Sequence, residues 1–236
     1  MNNGVVNTFA FVVFPYIVLA VFTLGHFYRY IKDPLRWNAR SSEVLEKQIL
    51  KYGSVVFHYG ILMTLVGHAG GLLIPQWIFD AMGIDAGTHT QIAYYSGAAF
   101  GLAAVAGAAL LLWRRLSRPR LKAATSRNDF ATLILLLWVA GTGLFNVFFG
   151  HFHVLDTVAP WIRGIITLHP DPRLMAPVPF SYKLHIFSAF ILFGFSPFSR
   201  LIHIWSAPFI YPFRRMLVFR KYEPFGDSGS DAACEP

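Results

Sequence analysis

Five long apolar blocks, separated by short loops, run through this chain of 236 residues. They cover residues 5–28, 55–78, 91–113, 130–149 and 180–205. A helix needs about 20 predominantly apolar residues to cross a hydrocarbon core of about 30 Å. Only 14% of the residues are charged, against about 25% in a typical soluble domain. The sequence therefore predicts an all-α integral membrane bundle of five transmembrane helices, formed by residues 1–222, with a disordered cytoplasmic tail at 223–236.

The positions of Lys and Arg predict how this bundle is oriented. Seventeen of the 20 basic residues follow the first or third block, or lie at or beyond the end of the fifth. Arg163, Arg173 and Lys183 are left for the other side. Because cytoplasmic loops carry an excess of Lys and Arg, we expect the N-terminus outside and the C-terminus in the cytoplasm. The same loops account for the net charge of +8, and no nucleic-acid-binding motif accompanies it.

Two of the blocks carry a pair of histidines each: His58 and His68 in the second, His185 and His203 in the fifth. Ionisable side chains inside a membrane span are costly and indicate functional sites. The second block is predicted to run outward and the fifth inward. His68 then lies level with His185, and His58 level with His203, which gives two histidine pairs stacked across the membrane.

The histidine spacings fit this pairing only in part. Ten residues separate the first two histidines and 18 the second two, or about 15 Å and about 27 Å along a helix. Eighteen residues bring a side chain back to the same helix face and ten leave it about 80° away, so both pairs can point into one bundle interior. Helix tilt, a kink at Pro197 and the width of a porphyrin between the ligands are expected to absorb part of the difference.

Paired histidines at two depths point to two non-covalent b-type haems. Two axial imidazoles leave haem iron without an open position, as in electron-transfer proteins. The single cysteine, Cys234, excludes both thioether attachment of haem and a cysteine-ligated iron–sulfur cluster. Zinc would need a closer, tetrahedral group of ligands. The alternative that remains is a haem-free transporter or proton channel, although the chain has no visible repeat of the kind that transporters show.

Several motifs resemble the gamma subunit of respiratory nitrate reductase, over nearly the whole chain up to about residue 211. They are Pro-Phe-Ser-Arg-Leu-Ile-His-Ile-Trp-Ser-Ala-Pro at 197–208, Phe-His-Tyr-Gly-Ile-Leu at 57–62 with Val-Gly-His at 66–68, Arg-Ser-Ser-Glu at 40–43, Phe-Pro-Tyr-Ile at 14–17, and the basic loop at 114–120. The resemblance implies a five-span cytochrome b subunit of a bacterial or archaeal inner-membrane complex. His68 and His185 would ligate the outer haem, and His58 and His203 the inner one.

The resemblance also implies a function and partners. The subunit would oxidise menaquinol or ubiquinol near the outer haem and pass electrons inward to a cytoplasmic iron–sulfur beta subunit and a molybdenum-containing alpha subunit. Nitrate reduction would take place on the alpha subunit, not on this chain. A related haem b subunit that serves another cytoplasmic reductase, such as one of the sulfur cycle, is the nearer alternative.

The remaining candidate residues concern the haem propionates and quinol. Buried carboxylates need cationic partners, and we expect Arg114 and Arg200 to serve the inner haem and Lys183 the outer one. Quinol is expected beside Gly67, His68, Gly71 and His89. Well-known members of the family carry lysines in the outer loop between spans 2 and 3, whereas residues 83–91 here contain none. Either His89 or Asp85 is the expected substitute, or quinol binds by other contacts.

Overall fold

The protein, seen here in a computed structural model, is described at residues 2–32, 42, 44–150 and 152–204. Regular structure in these ranges is entirely helical, as the sequence predicts. These described residues form nine α-helices: α1 Asn2–Thr8, α2 Phe14–Lys32, α3 Gln48–Leu73, α4 Gln76–Ala81, α5 Ala86–Ser117, α6 Pro119–Ala124, α7 Arg127–Phe149, α8 Val158–Ile166 and α9 Phe180–Phe195. A π-helical stretch, Phe9–Val13, joins α1 to α2.

Four helices in the described part of the chain are long and apolar enough to cross a membrane: Val5–Lys32, α3, α5 and α7. They correspond to the first four predicted blocks, with different ends. The second helix begins earlier than predicted, at Gln48, and stops at Leu73 because Pro75 lacks the N–H that a continuing helix needs. The third begins at Ala86, where the Asp85 carboxylate accepts a hydrogen bond from the Thr88 N–H at 2.7 Å and caps the helix.

The predicted fifth transmembrane helix, 180–205, is wrong as one continuous helix. The helix α9 ends at Phe195 after 16 residues, and two 3₁₀ turns follow, Ser196–Phe198 and Arg200–Ile202. Pro197 causes the break because it has no N–H to donate and its ring collides with the preceding turn. The predicted tail at 223–236, and the basic residues beyond 204, lie outside the described residues.

Two glycines allow α3 and α5 to cross closely. A Cβ added to Gly60 would run into the backbone of Ala104, and a Cβ added to Gly107 would run into the backbone of Phe57. The other long helices pack in chain order, α7 on α5 and α9 on α7, while α2 packs on α9. The helix α3, which carries His58 and His68, and the helix α9, which carries His185, are not among the helix pairs that pack closely in the described part of the chain. His203 follows the second 3₁₀ turn.

The short helix α8 closes one end of the bundle. The Trp161 side chain on this helix is fully buried. Its indole N–H donates to the Phe11 carbonyl at 2.8 Å, within the π-helical stretch, and the Tyr16 hydroxyl donates to the Ile165 carbonyl at 3.1 Å. These contacts fix α8 against the first helix.

Candidate functional site

The four candidate histidines meet in two pairs. The ring centroids of His58 and His203 are 6.0 Å apart, and those of His68 and His185 are 6.2 Å apart. Metal–imidazole bonds are about 2 Å long, so two rings that face one metal ion from opposite sides have centroids about 6 Å apart. Each pair therefore has the separation that one shared metal ion requires.

The second ring nitrogen of each histidine is held by a backbone carbonyl. Nδ1 lies 2.7 Å from the Ser54 carbonyl in His58, 2.8 Å from the Thr64 carbonyl in His68, and 2.6 Å from the Arg200 carbonyl in His203. A carbonyl only accepts, so Nδ1 carries the proton in these rings and Nε2 keeps its lone pair. Metal-binding histidines are typically held in this way, because the carbonyl fixes both the tautomer and the ring orientation.

His185 differs from the other three because its acceptors lie on a neighbouring helix. Its Nδ1 is 3.1 Å from the Val139 carbonyl and 3.1 Å from the Thr142 hydroxyl, both on α7. The ring also lies against Gly143, where an added Cβ would be 2.9 Å from Cε1 of the imidazole. Val139, Thr142 and Gly143 thus form a recess, here called the His185 niche. Sequence reasoning missed the niche because none of its residues is ionisable.

The space around the pairs suits a flat group that supplies most of the metal ligands itself. Within the described ranges, no three His, Cys, Asp or Glu side chains cluster to hold a metal ion. A porphyrin provides four equatorial nitrogens, so two axial histidines complete the iron. Beside His68, a Cβ added to Gly67 or to Gly70 would meet nothing within 4 Å. The residues present therefore fit haem better than a protein-only metal site.

Arg114, predicted to bind an inner propionate, is held by the segment before α3, and its binding to a propionate stays a prediction. Its guanidinium is almost fully buried and donates to the Glu46 carboxylate at 2.6 Å, to the Ser42 hydroxyl at 3.0 Å and to both backbone carbonyls. Burial alone would raise the pKa of Glu46, but hydrogen bonds from the Ile49 N–H and from Arg114 hold the pKa below its usual value. With these partners, Arg114 fixes the entry to α3.

Arg200 is paired with a carboxylate near the histidine pair His58 and His203. Its Nε donates to the Asp129 carboxylate at 2.7 Å, while its backbone carbonyl accepts from His203. Asp129 also accepts from Ser126 in a capping box at the start of α7. The pair therefore links the beginning of α7 to the backbone that orients His203.

Lys183 and His89 are the other side chains predicted at the outer site. The Lys183 ammonium is 3.4 Å from the Ala176 carbonyl and 6.0 Å from the centre of the Phe11 ring. His89 is buried, and its ring centroid is 4.7 Å from that of Phe79. A Cβ added to Gly71 would lie 3.6 Å from Cε1 of His89, which is an ordinary van der Waals contact.

Asp85 is a weaker candidate than His89 for the missing lysines. Its carboxylate caps α5, and hydrogen bonds from Thr88 hold its pKa below the usual range. The carboxylate is thus committed to the helix cap, which leaves the His89 imidazole as the better candidate of the two.

Comparison with known proteins places most of the chain in one family. A family model described as nitrate reductase gamma subunit matches residues 7–222. The nitrate reductase gamma chain of Bacillus subtilis is 39% identical over 213 residues, which is 89% of this chain and 96% of the relative. Respiratory nitrate reductase 1 gamma chain of Escherichia coli is 35% identical over 219 residues, 91% and 97% of the two chains. The nitrate reductase-like protein NarX of Mycobacterium tuberculosis is 34% identical over 217 residues, but only 33% of its length is covered.

Proposed function

This chain belongs to the nitrate reductase gamma subunit family, and we propose that it is the di-haem b subunit that oxidises quinol for a nitrate reductase complex. The observation that carries the proposal is the pairing of the four histidines, with ring centroids 6.0 and 6.2 Å apart. Electrons would leave toward an iron–sulfur beta subunit and a molybdenum-containing alpha subunit on the cytoplasmic side. The setting would be a bacterial or archaeal inner membrane.

His58 and His203 would hold the inner haem, and His68 and His185 the outer one. When bound, bis-histidine haem supplies a one-electron carrier that does not bind oxygen. The carbonyls at Nδ1 keep each Nε2 unprotonated and make the imidazoles more basic. Ten residues of α3 separate its two histidines, so the two sites lie about 15 Å apart along that helix.

The segment from Phe180 to Ile204 would be the fifth crossing, although it is not one helix. Sixteen α-helical residues extend about 24 Å, which covers most of a core of about 30 Å. The two 3₁₀ turns then carry the chain across the bundle to His203. With the N-terminus outside, as the distribution of Lys and Arg favours, the pair His68 and His185 lies toward the outer face.

Quinol would bind at that outer face, beside Gly67, His68 and Gly71, with His89 as its polar partner. The His89 imidazole can accept a hydrogen bond from a quinol hydroxyl, whereas Asp85 is committed to its helix cap. Release of the protons to the outside, while electrons move inward, would separate charge across the membrane. Moving one charge against 100 mV costs about 2.3 kcal/mol, so external proton release is what would conserve energy. Proton release on the cytoplasmic side of oriented vesicles would contradict this arrangement.

The direct test is optical. Reduced-minus-oxidised spectra of membranes containing the chain, with haem quantified per chain and a quinol analogue as reductant, should show two b-type haems reduced by quinol. His58→Ala and His203→Ala should remove one and the same haem, and His68→Ala and His185→Ala the other. A properly inserted chain without haem would refute the proposal and return the haem-free transporter to consideration. Two haems together with a different co-purifying reductase would keep the electron-transfer role and replace the partner.

A further inference from the structure

Arg163 reaches from α8 to the end of the helix that carries His68. Its Nη1 donates to the Leu72 carbonyl at 3.1 Å. Leu72 follows His68 by four residues on α3, and residues four apart lie on one helix face, about 6 Å apart along the axis. The guanidinium therefore lies one helical turn beyond His68, at the same end of the bundle.

The Arg163 guanidinium has donors to spare. Its side chain is half-buried, and the part of the chain that the structure describes supplies a partner only to Nη1. Arginine has five N–H donors in a planar fork that matches a carboxylate. A cation in a partly desolvated position is costly unless an anion accompanies it. The remaining donors therefore fit a carboxylate that this chain does not itself contribute.

The position of Arg163 is fixed by the buried contacts of α8. Trp161, two residues before it, is anchored to the Phe11 carbonyl, and Ile165, two residues after it, accepts from Tyr16. Because the residues on both sides of Arg163 are anchored, we expect its side chain to lose less entropy on binding an anion than a free surface side chain does. Lys183 lacks this arrangement, since its ammonium lies 3.4 Å from the Ala176 carbonyl and offers no fork.

We propose that Arg163, rather than Lys183, binds a carboxylate group of the outer haem, one turn beyond its ligand His68. The inference rests on the proposed function, and it assigns a cation to the outer site that differs from the one the sequence suggests. A positive charge held beside a haem favours the reduced, more negative state. Loss of that charge should therefore make the outer haem harder to reduce, while the inner haem is unaffected.

Potentiometric titration of the purified complex tests this inference, with the outer haem assigned as the signal that His68→Ala removes. R163Q keeps a donor for the Leu72 carbonyl but removes the charge, and we expect its equilibrium constant for reduction of the outer haem to fall about tenfold, or about 59 mV for one electron. K183Q removes an equal charge from the same side and should leave the outer potential unchanged. The inner haem serves as the internal reference in both variants.

The outcomes separate this inference from the proposed function. A wild-type chain without haem would overturn both. With two haems in the wild type, an unmoved outer potential in R163Q, or an equal shift in K183Q, would overturn the role of Arg163 alone. If R163Q does not assemble, R163K decides: a lysine keeps the charge without the fork, so we expect a smaller shift in the same direction. An unchanged potential in R163K beside a lowered one in K183Q would reverse the assignment.

Discussion

Gly143→Ala should damage the outer haem site and leave the inner one intact. The added Cβ would lie 2.9 Å from Cε1, 3.4 Å from Nδ1 and 3.5 Å from Nε2 of His185. Ordinary contacts of a Cβ begin near 3.4 Å, so the imidazole must move by about 0.5 Å or turn in its niche. Metal–ligand distances are held within about 0.2 Å, and such a displacement exceeds that tolerance.

The expected loss of outer haem is about tenfold in affinity, the lower end of what mutation of residues supporting a ligand costs. The helix itself should gain from the change, because Ala is favoured over Gly in a helix interior by about 0.5–1 kcal/mol. General destabilisation of α7 is therefore not the expected cause. Haem per chain, measured from the purified protein, and the electron paramagnetic resonance signal of each low-spin haem would report the effect.

Gly141→Ala is the matched control, two residues earlier on the same helix. A Cβ added there would meet nothing within 4 Å, so both haems should be retained. Wild-type haem content and an unaltered outer signal in Gly143→Ala would show that the His185 ring has room to move, and the niche would have no role. Equal damage from Gly141→Ala would assign the effect to α7 as a whole.

Three further substitutions test the surroundings of the two sites. Thr142→Val removes a hydrogen-bond acceptor of His185 and should raise the midpoint potential of the outer haem, because a less basic ligand favours the oxidised iron less. An unchanged potential in redox titration would leave the Val139 carbonyl as the acceptor that matters for His185. Asp129→Asn removes the negative charge from the contact with Arg200 at 2.7 Å and leaves only a neutral acceptor there. We expect the inner haem signal to broaden or weaken with the outer one unchanged, whereas an effect on both haems would point to disturbed insertion. The lowered pKa of Glu46 means that its ionised form stabilises the fold at neutral pH and that this contribution is lost as the pH falls through the folded-state pKa, below the usual value of 4.5. Glu46→Gln should therefore lower the melting temperature in detergent at pH 7 and flatten its decline in acid, and full wild-type acid sensitivity in the variant would contradict this.

The pairing of the histidines could be predicted from the sequence, because the orientation of the spans and the helix periodicity relate residues that are far apart along the chain. Reading α3 as outward and the last block as inward pairs His58 with His203 and His68 with His185, and the structure brings the rings together in those two pairs. Haem ligation itself stays a prediction. Membrane spans are also easy to recognise, since four of the five predicted blocks are single helices of sufficient length.

Contacts between distant segments could not be predicted from the sequence. Gly141 and Gly143 are the same residue type on the same apolar helix, and only the packing of α9 decides which of them faces His185. Arg114 is predicted beside a haem because buried propionates need cationic partners. The structure shows that the segment preceding α3 folds back and supplies partners for Arg114 at Ser42 and Glu46. A buried arginine indicates an anion, whereas the identity of that anion depends on loops whose course the sequence does not specify.

The break after Phe195 accounts for the unequal histidine spacing. From His185 to Phe195 the helix α9 runs for ten residues, the same number that separates His58 from His68 on α3. The remaining eight residues to His203 pass through two 3₁₀ turns joined by the extended residue Ser199. Since both ring pairs meet, these residues must run mainly across the bundle rather than along it.

Such a turn at membrane depth requires partners for the backbone groups that the broken helix releases. The Pro197 carbonyl accepts from Arg29 at 3.3 Å, and the Phe198 carbonyl accepts from Asn128 at 2.9 Å. The Ser199 hydroxyl donates to the Ser196 carbonyl and accepts from the Leu201 N–H. Gly25 adds the space, because a Cβ there would lie 2.9 Å from the Pro197 ring. The proline that interrupts the proposed last span, and the side chains of α2 and α7 that satisfy the interruption, thus bring His203 level with His58.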